Sequence, residues 1–133
     1  MKHIGGISMD QELMDELASQ FRNSLKVLNA VGAETRQAIL MALLQGPQDP
    51  GMRVGEIRGA THFSRPVVSH HLRILIEAGI VSVRKDGTRN YYRLDSGSKL
   101  MVLKSLVNGL EKVLAQCELS SDSPVREELL LED

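Results

Sequence analysis

Aromatic residues are nearly absent from this chain: it has no tryptophan, two tyrosines and two phenylalanines in 133 residues. Its core must therefore be built from Leu, Ile, Val, Met and Ala, a composition that favours helix. There is one cysteine, Cys117, which excludes an intrachain disulfide, a disulfide framework and a four-cysteine zinc site. No apolar run approaches the roughly 18 residues that cross a bilayer. The opening MKHIGGISMDQEL lacks the apolar stretch of a secretory signal, so a cytoplasmic protein is expected. Also missing are a phosphate loop, a His-Glu-x-x-His pair and a pair of carboxylates that can be placed in one cleft. No enzyme is expected, and no cofactor.

A strong overall charge is missing too, since the net value is −1. Its distribution says more. Between Phe63 and Arg93 six bases (Arg65, Arg73, Arg84, Lys85, Arg89, Arg93) face two acids, a local net of +4. From Glu118 onward six acids face Arg126 alone, a local net of −5. A basic segment is what neutralising phosphates requires. The acidic end (120–133) reads as a solvated tail, turn-like over Ser120–Pro124 with a possible short helix around Arg126–Leu131. Competition with DNA for the basic face is a minor alternative.

The length fits one domain, with no internal repeat. Residues 1–8 read as a loose N-terminus, with Ser8 and Gln11 forming a capping box. Met14, Leu17, Phe21, Leu25 and Leu28 then make one apolar face of a helix from about Met9 to Asn29, within a segment 9–31. A second helix from about Ala33 to Leu44 buries Ile39, Leu40, Leu43 and Leu44. The stretch from Gln45 to Gly51 is a loop, and Met52-Arg53 a short strand. A third helix from about Val54 to Ala60 turns Val54 and Ile57 inward. Ser64 caps a fourth helix with Pro66 in its first turn. It runs to about Ala78, stops at Gly79, and buries Val68, Leu72 and Leu75. Over 80–94, two alternating segments around Asp86-Gly87 signal a β-hairpin. Val81, Val83, Tyr92 and Leu94 face inward there, and Arg84, Tyr91 and Arg93 outward. The last helix (98–119) carries Leu100, Leu103, Val107, Leu110, Leu114 and Cys117 as a narrow coiled-coil-like seam.

A short helix, a tight turn and a capped second helix (54–78), followed by a basic hairpin, make a winged helix-turn-helix. The fold expected is mainly α with a small β-hairpin wing. A major groove about 12 Å wide accepts one helix. The fourth helix offers it Ser64, Arg65, Val67, Ser69, His70 and Arg73. The hairpin offers Arg84, Lys85, Arg89 and Arg93 to the backbone or a minor groove. The first and last helices carry more apolar surface than a small winged core covers. A homodimer joined through Leu17, Phe21, Leu103, Val107, Leu110 and Leu114 would bury it. It would also set two recognition helices about 34 Å apart.

Val54-Gly55-Glu56-Ile57, the run from Ser64 to Val81, the Arg-Lys-Asp-Gly-Thr-Arg wing and Tyr92-Arg93-Leu94 together resemble the ArsR/SmtB family of small bacterial repressors. The stretch Leu28–Leu40 resembles that family's second-helix entry, with Glu34 where Pro is frequent. The resemblance covers residues 25 to 95. It implies a homodimer, with first and last helices at the interface, on an inverted-repeat DNA operator that an effector releases. The family's metal sensors use cysteines in the third helix, or Asp and His paired with His or Glu on the last. Here the third helix has no Cys, and no histidine follows His71. Neither metal site is expected, and the effector, small-molecule or redox, stays unassigned.

The remaining singled-out residues have plainer readings. His70 and His71 point about 100° apart on a helix, which disfavours a metal pair. His70 is assigned to DNA, His71 to packing at the domain edge, and His62 to a turn. Cys117 reads as a small buried hydrophobe, a thiol switch being the minor alternative. Tyr92 is assigned to the core, while Tyr91 either touches the sugar–phosphate backbone or covers the wing. A winged-helix module for protein–protein docking, without DNA-binding activity, is the alternative function. The basic wing argues against it.

Overall fold

The computed structural model describes residues 5–120. Along the chain these form α1 (Gly5–Val31), α2 (Glu34–Gln45), α3 (Val54–Thr61), α4 (Arg65–Glu77), β1 (Val81–Asp86), β2 (Arg89–Leu94), a 3₁₀ turn (Lys99–Met101) and α5 (Val102–Ser120). Helices followed by a two-stranded antiparallel hairpin are the winged helix-turn-helix order expected. The chain divides into two compact units, residues 22–104 and residues 1–21 with 105–133. The expected short helix and most of the acidic tail lie outside the described residues.

The larger unit holds the core. Ile39 and Leu43 of α2, Ile57 of α3, Val68, Leu72 and Leu75 of α4, and Ile80 and Val81 entering the hairpin are all 2% exposed or less. The α4 members recur at +4 and +3, so one stripe of that helix is wholly apolar. Ala42 is buried on α2, whereas Leu44, expected inside, is exposed. One hundred degrees per residue carries Leu44 off the side that Leu43 occupies.

The hairpin pairs Val81 with Leu94 through to Asp86 with Arg89. Its two-residue loop is therefore Gly87-Thr88, one position later than the expected Asp86-Gly87. Gly87 has φ +65° and Thr88 does not share that sign, the pattern of a type II′ turn with glycine first. Val83, expected inside, is exposed, because the core lies under the base of the hairpin and the strands run on beyond it. Tyr91 and Arg93, expected outward, are half-buried. Met52 forms a β-bridge to Tyr92, with N–H···O distances of 2.8 and 2.7 Å. The loop before α3 is thereby fastened to the wing.

Two side chains from the first turn of α2 close the end of α1. Arg36 donates to the carbonyls of Ala30 (2.7 Å) and Asn29 (3.0 Å), and Gln37 to that of Val31 (2.7 Å). These are the orphan carbonyls of a helix C-terminus, where a cation is also favoured by the macrodipole. The third arm of Arg36, Nη1, lies 3.0 Å from Nδ1 of His71 on α4. Arg can only donate, so Nδ1 accepts and His71 is neutral, with its proton on Nε2.

In the smaller unit, Leu17 of α1 and Leu106 of α5 are buried. A Cβ added at Gly109 would overlap the Gln20 side chain and reach 3.4 Å from Leu17, so the bare glycine lets α5 lie close to α1. The helix begins at Gly5, so Ser8 lies within it and is not its cap, and residues 5–8 are not loose. Residues 1–4 lie outside the described residues. Of the expected α1 face only Leu17 is buried, Leu28 is half-buried, and Met14, Phe21 and Leu25 are exposed. Of the α5 seam Val107, Leu114 and Cys117 are exposed, which corrects the buried reading of Cys117. Leu100, Leu103 and Leu110 are half-buried.

Two outcomes follow for stability. Ile57→Ala or Leu72→Ala should cost about 2–5 kcal/mol, and Leu44→Ala less than about 0.5 kcal/mol, read from urea midpoints at one protein concentration. His71 has its pKa lowered from the ordinary 6.5, first by burial, then by Arg36 and His70. The unfolded chain therefore takes up this proton before the folded one does. The stability that neutral His71 contributes is complete above 6.5 and is lost as pH falls below that value. Melting temperature should drop between pH 7.5 and 5.5. His71→Asn keeps an acceptor for Arg36 and should flatten that drop. An unchanged pH profile in this variant would contradict the assignment.

Candidate nucleic-acid interface

The helix-turn-helix is built by short-range chemistry. Thr61 Oγ1 donates to the Ile57 carbonyl (2.8 Å) and accepts from the Phe63 N–H (3.3 Å). His62 takes φ +65°, the left-handed conformation that ends a helix. The chain then re-enters a helix at once: Ser64 is extended, and its Oγ accepts from the Val67 N–H at 3.4 Å. Pro66 sits in the first turn, where no intrahelical N–H is needed. The Ala78 N–H closes the far end on the Ile74 carbonyl at 3.0 Å.

This anchoring decides which side of α4 meets solvent. With Val68, Leu72 and Leu75 buried, Ser64, Arg65, Val67, His70 and Arg73 are exposed and Ser69 is half-buried. His70 and Arg73 lie along one line of the helix and Ser69 beside it. His71 is turned aside to Arg36, its ring edge-on to that of His70 at 5.0 Å between centroids. Two adjacent imidazoles thus serve different surroundings.

The hairpin register sorts its bases. Directly paired residues share a face, so Arg84, Arg89 and Arg93 lie on one face with Tyr91, and Lys85 on the other with Val83. Arg84 Nη1 is 3.4 Å from Asp49 Oδ1, an exposed ion pair. Arg93 Nη1 donates to the Gln48 carbonyl at 3.1 Å. Both are held on the loop before α3, Arg93 near the base of the wing and Arg84 midway along it. Lys85 and Arg89 stand near its tip, exposed.

One feature escaped the sequence reading. A cleft of about 440 Å³ is lined by Arg53, Gly55 and Glu56 from the start of α3, Arg65 from the start of α4, and Thr88 and Asn90 from the wing. Arg53 lies ten residues before the basic segment begins, so a count of charge along the chain leaves it out.

Among the described residues no group of three His, Cys, Asp or Glu is placed to hold a metal, and no helix is long and apolar enough to cross a membrane. Residues 33–83 match the family model for bacterial regulatory proteins of the arsR family. An HTH-type transcriptional regulator of Mycobacterium tuberculosis is 39% identical over 77 residues, 58% of this chain and 68% of its own. A transcriptional repressor of Bacillus subtilis is 36% identical over 70 residues, 53% of this chain and 73% of its own. A homodimeric winged helix-turn-helix DNA-binding domain from Mycobacterium bovis, solved by NMR, is 30% identical with a TM-score of 0.53. The match covers 79% of this chain and 89% of that one. With the helix-turn-helix, the wing and these likenesses in agreement, the chain belongs to the arsR family of bacterial transcriptional regulators.

Proposed function

We propose that the protein is a cytoplasmic, homodimeric repressor that binds duplex DNA at an inverted-repeat operator, with both compact units working as one domain. The observation that carries this is the two-sidedness of α4: one side is core, and the other is a polar, cationic strip beside a basic hairpin. On this reading α4 enters the major groove. Ser64, Arg65, Val67, Ser69, His70 and Arg73 are its contacts, and Arg73, on the outward line of the helix, is assigned to fork onto guanine. Lys85 and Arg89 reach the flanking backbone from the wing tip. Arg84 from the middle of the wing and Arg93 from near its base contribute positive field.

The dimer has its own support. Met14 and Phe21 on α1, and Val107 and Leu114 on α5, are exposed large apolar side chains. Each pair is spaced seven residues apart, the repeat of a helix seam that a partner helix covers. The M. bovis relative is described as homodimeric. Leu103 and Leu110, both half-buried, continue the α5 seam into the proposed interface, whereas Leu17 is already buried in its own chain and supports the interface from behind. With no cysteine in α3 and no histidine after His71, regulation does not use the metal sites of the family's metal sensors.

Three measurements test this reading. Binding to an operator selected from random duplexes should weaken steeply with salt, with a log–log slope of about −0.9 per phosphate contact. Arg73→Ala should relax base preference by about 1–3 kcal/mol at one position, while Lys85→Ala should weaken all duplexes alike and reduce the slope by about 1. Phe21→Glu with Val107→Glu should convert a dimer into a monomer by sedimentation. A wild-type protein that ignores duplex DNA at low salt would favour the protein-docking alternative.

A further inference from the structure

The geometry points to a DNA contact outside the recognition helix: the cleft beside Arg53 seats the phosphates of one DNA strand. This rests on the DNA-binding reading above and extends it to Arg53, Thr88 and Asn90, which that reading does not use, with Arg65 at the junction of the two contacts. In B-form DNA a sugar–phosphate backbone separates the major groove from the minor groove. A protein with a helix in one groove and a hairpin against the next must straddle that strand. The cleft lies between Arg65, the first residue of α4, and Thr88 and Asn90 of the wing tip, where a straddled strand has to pass.

The lining suits a phosphodiester. Two guanidinium groups, a hydroxyl and a side-chain amide supply donors, and charged donors to phosphate make the stronger hydrogen bonds. The ion pair found among the described residues is Arg84–Asp49, which leaves Arg53 and Arg65 outside it. Gly55 also lines the cleft, and a Cβ there would meet nothing within 4 Å, so the space beside it is open. Glu56 is the acid in the lining. Its Oε1 accepts from the Arg53 backbone N–H at 2.8 Å, so it caps α3, and its charge opposes a phosphate.

That opposition yields a test with effects of both signs. In the full-length protein on its selected operator, Arg53→Ala should weaken binding about three- to tenfold on every duplex and lower the salt slope by about 1 per protomer. Glu56→Gln keeps a capping side chain and should tighten binding several-fold, most at low salt. Uncharged methylphosphonate, placed at one backbone position at a time, should weaken wild-type binding at one position per half-site where Arg53→Ala is unaffected. If the wild type binds and both variants match it in affinity and slope, the cleft is not on the strand and this inference falls alone. If the wild type binds no duplex, the proposed function falls and takes the cleft with it.

Discussion

Everything the proposed interface does depends on one stripe of α4 being locked into the core. Val68, Leu72 and Leu75 are each 1% exposed or less, and they meet apolar residues from α2, α3 and the hairpin entrance. Freed from that packing, a 13-residue helix would be marginal in water and its polar side would have no fixed direction. Burying one stripe fixes the helix's rotation. That single constraint turns Arg73 and His70 to solvent and leaves Ser69 at the margin. The interface is thus the complement of the core, and the same residues that stabilise the fold aim the polar ones.

Arg36 extends this rigidity. By bonding the last carbonyls of α1 and the ring of His71, it joins the end of one helix to the flank of α4. The join needs an imidazole without charge, because a guanidinium offers only donors. A residue adjacent to the outward histidine is thereby given over to holding the helix in place. Arg84 and Arg93 are tied similarly, to the loop before α3. Arginine therefore has two uses in this chain, and only its partners distinguish them.

Local signals made most of the fold legible in the sequence. Ser64, Pro66 and the +4, +3 spacing of Val68, Leu72 and Leu75 define α4 without outside information, since each acts within one or two turns. The hairpin was equally plain. Its tip shifted by one residue because strand pairing continues to Asp86 and Arg89, and register depends on both strands together. Apolar periodicity failed on α1 and α5 for a different reason. Both helices are apolar on more than one side, and a pattern cannot say which side the chain covers itself. Leu17 and Leu106 took that role, leaving Phe21 and Val107 exposed. Val83 misled because alternation marks a strand's face, not how far the layer beneath it reaches. Arg53 was invisible to a linear count, since its cleft is assembled from three separate segments, the first and last more than thirty residues apart.

A net charge of −1 would seem poor equipment for holding a polyanion, yet the total is the wrong quantity. At physiological salt a charge is felt over about 8 Å, so a phosphate at the wing responds to the few groups around it. What matters is which cations are already engaged by the protein. Arg36, Arg84 and Arg93 donate to its own acceptors, and Arg84 has Asp49 beside it. Arg73, Lys85 and Arg89 stand exposed on the strip and the wing tip, and Arg53 and Arg65 line one cleft with a single acid. A near-neutral chain can therefore present a cationic path to a DNA strand, because the fold divides its bases between internal joints and the surface.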